Sequence, residues 1–163
     1  MARRVFYSFH YMADSWRASQ IRNMGVIDGN IPVSPNDWES ITRSGDRAIQ
    51  NWIDNQLSGT SCTIVLIGAN TAGRKWINYE IEKSWKDGKG LLGIYIHNLL
   101  DQESNRSTKG RNPFSGFAEL SNIVMAYDPP YFLSNDVYAH IRRSLASWVD
   151  LAISTRNNYR GAH

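Results

Sequence analysis

This chain of 163 residues has one cysteine, no long apolar run and little excess of charge of either sign. A single cysteine excludes a disulfide framework, and Cys62 lies in an apolar segment, where a buried, reduced thiol is expected. No apolar run approaches the length that crosses a bilayer, and the first residues lack the apolar core of a secretion signal. We therefore predict a soluble, cytoplasmic protein.

The charge distribution argues against a polyanionic partner. Eighteen Lys and Arg against fifteen Asp and Glu give a formal net charge of +3, and the basic residues are scattered instead of forming a run or a helical stripe. The sequence thus indicates neither nucleic acid nor membrane as a partner. A mild positive charge would still help to attract a small molecule that carries phosphate.

Several common site motifs are also missing. No Gly-x-Gly-x-x-Gly follows the first strand and no Gly-x-x-x-x-Gly-Lys-Ser/Thr occurs, which argues against a hydride-transfer dinucleotide fold and a P-loop. The histidines have neither an i, i+4 partner nor a cysteine cluster, so we expect no metal site. Ser8 lacks a nucleophile elbow and a recognisable triad, which favours an inward-facing strand serine over a hydrolase nucleophile.

What is present is an alternation of strands and helices in a length that fits one domain. Because a strand, a helix and a strand follow one another over 62–96, those two strands should be parallel. The whole order indicates an α/β, doubly wound sheet. We predict strands at 5–9, 62–67, 91–96 and 122–127. Helices are predicted from Asp14 or Ser15 to Arg22, over 38–57, over 74–87, and from 137 onwards, with fraying from Thr155. Long loops are predicted at 23–37 and 97–121.

One carboxylate stands out by its position. The helix that begins near Arg74 follows the strand at 62–67, which places Glu80 near a strand's carboxyl end, where ligands of open α/β sheets bind. Glu80 lies one turn after Trp76 and is a candidate catalytic residue. His10 and His97 also follow strand ends and would face the same crevice, although a histidine at a strand end is more often a hydrogen-bonded structural residue. A glutamate on a Lys-rich amphipathic helix is commonly a solvated charge, so both interpretations of Glu80 stay open.

Four segments carry a resemblance to a known family. The chain resembles TIR-like domains, specifically the bacterial TIR proteins of the Thoeris antiphage system, and the similarity extends over about two thirds of the sequence. The matching segments are the opening Arg-Val-Phe-x-Ser-Phe-His-Tyr, Thr63-Ile64-Val65-Leu66-Ile67-Gly68, the Trp-x-x-Tyr-Glu-Ile helix, and Lys109-Gly110-Arg111-Asn112-Pro113-Phe114.

The resemblance implies a single TIR-like domain over 1–163 with a flavodoxin-like, mainly parallel sheet flanked by helices. It also implies an enzyme that cleaves the nicotinamide–ribose bond of NAD and makes a cyclic ADP-ribose isomer, a second messenger that activates a separate antiphage effector. NAD would then be the substrate, with no further cofactor, and TIR contacts would allow a homo-oligomer. The family's catalytic glutamate corresponds to Glu80 and its tryptophan to Trp76, while Phe9, His10 and Tyr11 would border the nucleotide.

A non-catalytic TIR module that signals only by homotypic contact is the alternative. Residues 23–37 depart from the loop of animal signalling TIR domains, which leaves adaptor-type assembly in doubt. The pair of Trp76 and Glu80 favours an enzyme, because an adaptor has no chemical need for a carboxylate at the crevice. A single ionised glutamate could suffice for NAD, since nicotinamide leaves from an already cationic ring and the carboxylate only has to stabilise the oxocarbenium-like centre.

Overall fold

Five parallel strands form the centre of the molecule, in the order β2-β1-β3-β4-β5. A computed structural model describes residues 4–29 and 35–159, and every pair of neighbouring strands in it is parallel. This order is that of flavodoxin-like doubly wound sheets, which confirms the predicted fold class. The strands are β1 (Arg4–Ser8), β2 (Asp28–Gly29), β3 (Cys62–Ile67), β4 (Gly90–Tyr95) and β5 (Ala126–Tyr127).

Helices alternate with the strands along the chain. None of the helices in the described residues has the length and apolarity to cross a membrane. A short 3-10 helix over Pro113–Gly116 lies in the segment between β4 and β5. The α-helices are α1 (Tyr11–Arg22), α2 (Pro35–Arg43), α3 (Asp46–Leu57), α4 (Lys75–Lys86) and α5 (Ser134–Asn158).

The core consists of side chains that alternate between the two faces of the sheet. Along β3, Ile64 and Leu66 belong to a buried cluster with residues of α1 and α5, whereas Val65 and Ile67 pack with residues of α4. All six residues of β3 are buried, as predicted for a parallel strand covered on both faces. Each large aliphatic side chain buried in this way stabilises the fold by roughly 1.5–3 kcal/mol.

Two helices begin or divide where the sequence analysis did not place them. The prediction that Asp14 or Ser15 starts the first helix is wrong, because the Ala13 amide donates to Nδ1 of His10 at 3.4 Å and this histidine caps α1. The single helix predicted over 38–57 is in fact α2 and α3. They are separated at Gly45, whose φ of 94° is a conformation that glycine adopts without steric cost.

The strand boundaries also differ. β1 and β4 each begin and end one residue earlier than predicted, and β2 lies within the predicted loop 23–37, of which residues 30–34 fall outside the described part. β5 keeps only two of the six residues predicted over 122–127. The residues before it form turns, in which the amides of Ile123 and Val124 donate to the Leu120 carbonyl, so their backbone groups are satisfied without a neighbouring strand.

The polar segment after β4 is anchored by a buried arginine. Arg17 is 4% exposed and donates from Nε to the Leu99 carbonyl and from Nη2 to the Asn105 carbonyl, both at 2.8 Å. Its Nη1 pairs with Asp14 at 3.2 Å. The first part of the predicted loop 97–121 is therefore fixed against α1.

Candidate active site

A cleft of about 310 Å³ opens beside the carboxyl end of β1, between α3 and α4. In doubly wound sheets the strand order reverses between β1 and β3, and the crevice at that point is where ligands bind. All five residues that the sequence analysis proposed for the site line this cleft, namely Phe9, His10, Tyr11, Trp76 and Glu80. The structure thus brings together residues from two distant segments, while their roles stay predictions.

Glu80 is a buried carboxyl group in the wall of the cleft, 7% exposed. Ser8 Oγ donates a hydrogen bond of 2.7 Å to its Oε1. Burial penalises the charged form and raises the pKa of Glu80 from 4.5 to about 8, and the Ser8 hydrogen bond opposes that rise. The carboxyl group of the free protein is therefore mainly protonated at pH 7, and its interpretation as a solvated surface charge is wrong.

Trp76 forms part of the cleft wall one helical turn before Glu80. Its ring meets the Tyr79 ring edge-on, with centroids 5.7 Å apart, and packs against the buried cluster that contains Phe6 and Ile53. The Lys75 ammonium lies 5.0 Å from the ring centroid on the solvent side of the helix start. Trp76 is thus a packing residue and a cleft residue at once.

The segment after β1 contributes aromatic rings and an imidazole. The rings of Phe9 and Tyr11 are stacked at 6.2 Å with an interplanar angle of 23°. Burial, and then the charge of Arg74, lowers the pKa of His10. Since Nδ1 of His10 accepts the Ala13 amide, the neutral ring carries its proton on Nε2, the nitrogen left for other contacts.

His97 does not face this cleft, contrary to the sequence-based expectation. It follows β4, which is separated from β1 by β3, and its ring lies edge-on to Tyr95 with centroids 6.1 Å apart.

Among the described residues, no group of three or more His, Cys, Asp or Glu side chains is arranged to hold a metal ion.

Sequence analysis missed four residues of the site. Ser8 was expected to be an inward-facing strand serine, but its hydrogen bond to Glu80 was not predicted. Trp52 on α3 and the pair Arg74 and Lys75 also line the cleft. The two cations could have been noticed from their place at the start of α4, because the helix dipole disfavours positive charge there.

Comparison with known proteins agrees with this architecture. Residues 6–101 match the family described as Thoeris protein ThsB, TIR-like domain, so the fold is that of a TIR-like domain. More specifically, this chain belongs to the ThsB TIR-like family of the Thoeris system, as its motifs indicated. A protein of Bacillus cereus (strain MSX-D12) with the name "Putative cyclic ADP-D-ribose synthase ThsB1" is 38% identical over 125 residues. The match covers 70% of this chain and 62% of that protein.

Proposed function

We propose that this protein breaks the nicotinamide–ribose bond of NAD in the Glu80 cleft and closes the remaining ADP-ribose into a cyclic isomer. The observation that carries the proposal is the buried carboxyl group of Glu80, with its raised pKa, in an aromatic-lined cleft at the β1 end of the sheet. Buried, perturbed carboxyl groups in clefts are typical of catalytic sites. The name of the Bacillus cereus relative gives a reaction of the same class.

The bond cleavage requires stabilisation of charge more than proton transfer. The electron pair of the C1′–N bond returns to the pyridinium nitrogen, so nicotinamide leaves as a neutral molecule and C1′ becomes oxocarbenium-like. Ionised Glu80 would stabilise that positive centre. The cationic nicotinamide ring favours the ionised carboxylate when it enters the cleft, so substrate binding itself would lower the pKa of Glu80 towards the working pH.

Cyclisation then depends on which nucleophile reaches C1′ first. A group on the adenine-bearing half of the molecule forms the new bond to C1′ and loses its proton, whereas attack by water would give linear ADP-ribose. The rings of Phe9, Tyr11, Trp52 and Trp76 make the cleft wall largely apolar. Such a wall excludes water and offers faces for planar rings, which favours the cyclic product.

Glu80→Gln tests the assignment, with Glu82→Gln as a matched control. Both substitutions change one carboxylate to an amide on α4, but Glu82 is exposed. We expect nicotinamide release by Glu80→Gln to fall about a hundredfold or more, while Glu82→Gln stays within about twofold of the unsubstituted protein. Nicotinamide is measured by chromatography and the nucleotide product by mass spectrometry. Wild-type turnover by a folded Glu80→Gln protein would reject the proposal.

The wider role follows from the Thoeris family. The cyclic nucleotide would act in the cytoplasm as a second messenger for a separate antiphage effector, and TIR contacts would support a homo-oligomer. A non-catalytic interaction module, the alternative function, offers no reason to bury an ionisable carboxyl group beside a cleft at a free-energy cost. If NAD is left intact under all conditions while the chain still self-associates, that alternative is preferred.

A further inference from the structure

Arg74 is a cation of the cleft wall for which the described side chains provide no anionic partner. Its Nε donates to the Asn70 carbonyl at 2.9 Å, which holds the guanidinium in place. Among the side chains that the structure describes, in residues 4–29 and 39–159, no carboxylate forms an ion pair with its two terminal nitrogens. The neighbouring Lys75, by contrast, is paired with Asp46 at the start of α3.

The start of α4 is an unfavourable place for the charge of Arg74, and Asp14, whose ionised form that charge stabilises, is already paired with Arg17. Arg74 is the N-cap residue of α4, where the helix dipole repels positive charge, and the first turn contains no acidic residue. Glu80, the carboxyl group that shares this cleft wall, is mainly protonated at pH 7 because burial raises its pKa. The charge of Arg74 is felt within the cleft, since it contributes to lowering the pKa of His10. An anion bound at this point would offset the charge.

We propose that Arg74 binds the diphosphate of NAD and selects phosphate-bearing nicotinamide ribosides over the free riboside. This inference rests on the proposed function. The diphosphate is the anionic part of NAD, and one ribose separates it from the reacting C1′. Arg74, the N-cap residue, and Glu80 are separated by an axial rise of about 9 Å along α4 and both line the cleft, so one rigid element would present one group towards each end of that ribose. Guanidinium groups bind phosphate oxygens in a bidentate manner.

Arg74→Gln and Arg111→Gln make a matched pair of variants. The Arg111 guanidinium lies against Gly73, next to the same end of α4, but it does not line the cleft. Both variants lose one positive charge in the same neighbourhood. A difference between them therefore shows that Arg74 contacts the ligand directly and does not act only through the positive potential of the region. Equal thermal unfolding midpoints for the two variants establish that both are folded.

Calorimetric titration with ADP-ribose and steady-state kinetics with NAD test the proposal. We expect Arg74→Gln to weaken ADP-ribose binding about ten- to a hundredfold and to lower kcat/KM for NAD mainly through KM. Inhibition of NAD turnover by nicotinamide riboside, which lacks phosphate, should be unchanged. Arg111→Gln should stay within about twofold in every measurement, and Arg74→Lys should recover part of the ADP-ribose affinity.

Unaltered ADP-ribose binding by Arg74→Gln would overturn the inference, as would an equal loss in Arg74→Gln and Arg111→Gln. An equal loss of affinity for nicotinamide riboside would also overturn it. If the unsubstituted protein releases no nicotinamide but binds ADP-ribose through Arg74, the proposed function fails and the binding role of Arg74 stands.

Discussion

The hydrogen bond from Ser8 to Glu80 joins two residues that are 72 positions apart in the chain. Ser8 is 1% exposed at the end of β1, so it orients Glu80 from the rigid sheet and not from a loop. The contact favours the ionised form of the carboxyl group, whereas burial favours the neutral form. The pKa of about 8 is the balance of these two effects.

Ser8→Ala should therefore shift the pH dependence of catalysis. Loss of the hydrogen bond raises the pKa of Glu80 above about 8, so the acid limb of the kcat/KM profile, which reports the free enzyme, moves to higher pH. Activity should fall more at pH 7 than at pH 9. Ser8→Thr keeps the hydroxyl group and should leave the limb close to its original position. A loss by one constant factor at every pH would show that Ser8 has only a packing role.

The residues of the cleft were only partly predictable from the sequence. Position after a strand's carboxyl end indicated Glu80, with Trp76 one turn before it, and His10, whereas Phe9 and Tyr11 were implied by the resemblance to TIR-like domains. The raised pKa of Glu80 could not be derived in that way, since it depends on burial in the folded chain and on a hydrogen bond from Ser8, which is 72 positions away. His97 followed a strand end too, but strand order, unknown from the sequence, places it two strands away from the cleft.

At the scale of the elements, α5 is longer and better fixed than its sequence predicted. Fraying was expected from Thr155, but the helix continues to Asn158. Arg156 donates from Nε and Nη2 to the Trp85 carbonyl at 3.1 and 3.0 Å, and its guanidinium lies 4.6 Å from the Trp85 ring centroid. That carbonyl belongs to the last turn of α4, where acceptors lack the usual i+4 donors, and it also accepts the Gly88 amide at 3.0 Å. The Arg156 side chain thus links the last turn of α5 to the end of α4.

Arg156→Ala should lower the free energy of unfolding by about 1–3 kcal/mol, because it removes charge-assisted hydrogen bonds and a cation–π contact. Arg156→Lys should recover only part of this loss, since an ammonium group cannot reproduce the planar fork. The midpoint of urea denaturation measures both effects. A lysine variant as stable as the unsubstituted protein would show that charge alone, and not the geometry of the guanidinium, matters at this position.

Element types were more predictable than element boundaries. The apolar run of β3 and the periodicity of α5 identified those elements because each buries a face large enough to leave a pattern. The two-residue strand β2 leaves none, and the apolar run over 122–127 predicted β5 as longer than its two residues. Both strands are placed by the backbone partners that β1 and β4 offer them. The division between α2 and α3 depends on the positive φ of Gly45, which periodicity alone does not reveal.

For the whole molecule, the buried carboxyl group makes stability depend on pH. The folded pKa of Glu80, about 8, lies above its usual 4.5, so the folded state binds this proton more tightly than the unfolded state. The free energy by which protonation of Glu80 stabilises the folded state is fully present below about pH 4.5. It is lost as the pH rises through about 8. Glutamine does not ionise, so we expect Glu80→Gln to keep its stability as the pH rises. At pH 9 its free energy of unfolding should exceed that of the unsubstituted protein by up to a few kcal/mol.

Urea denaturation at pH 5, 7 and 9 measures this difference, with Glu82→Gln as the control on the exposed side of α4. The control should follow the unsubstituted protein at each pH. Equal pH dependence in Glu80→Gln and the unsubstituted protein would mean that the carboxyl group is solvated in solution. A site that is destabilising when ionised fits a catalytic role, because function often conflicts with stability at such positions.

The contacts of Arg17 have a consequence for local opening of the native state. One guanidinium group is shared by α1, whose first turn borders the cleft, and by the segment that contains Leu99 and Asn105. Neither part can detach without leaving a buried charge or a carbonyl group unpaired, which is costly. The two parts therefore form one cooperative unit, and their backbone amides should exchange with deuterium at the same opening free energy although more than 80 residues separate them.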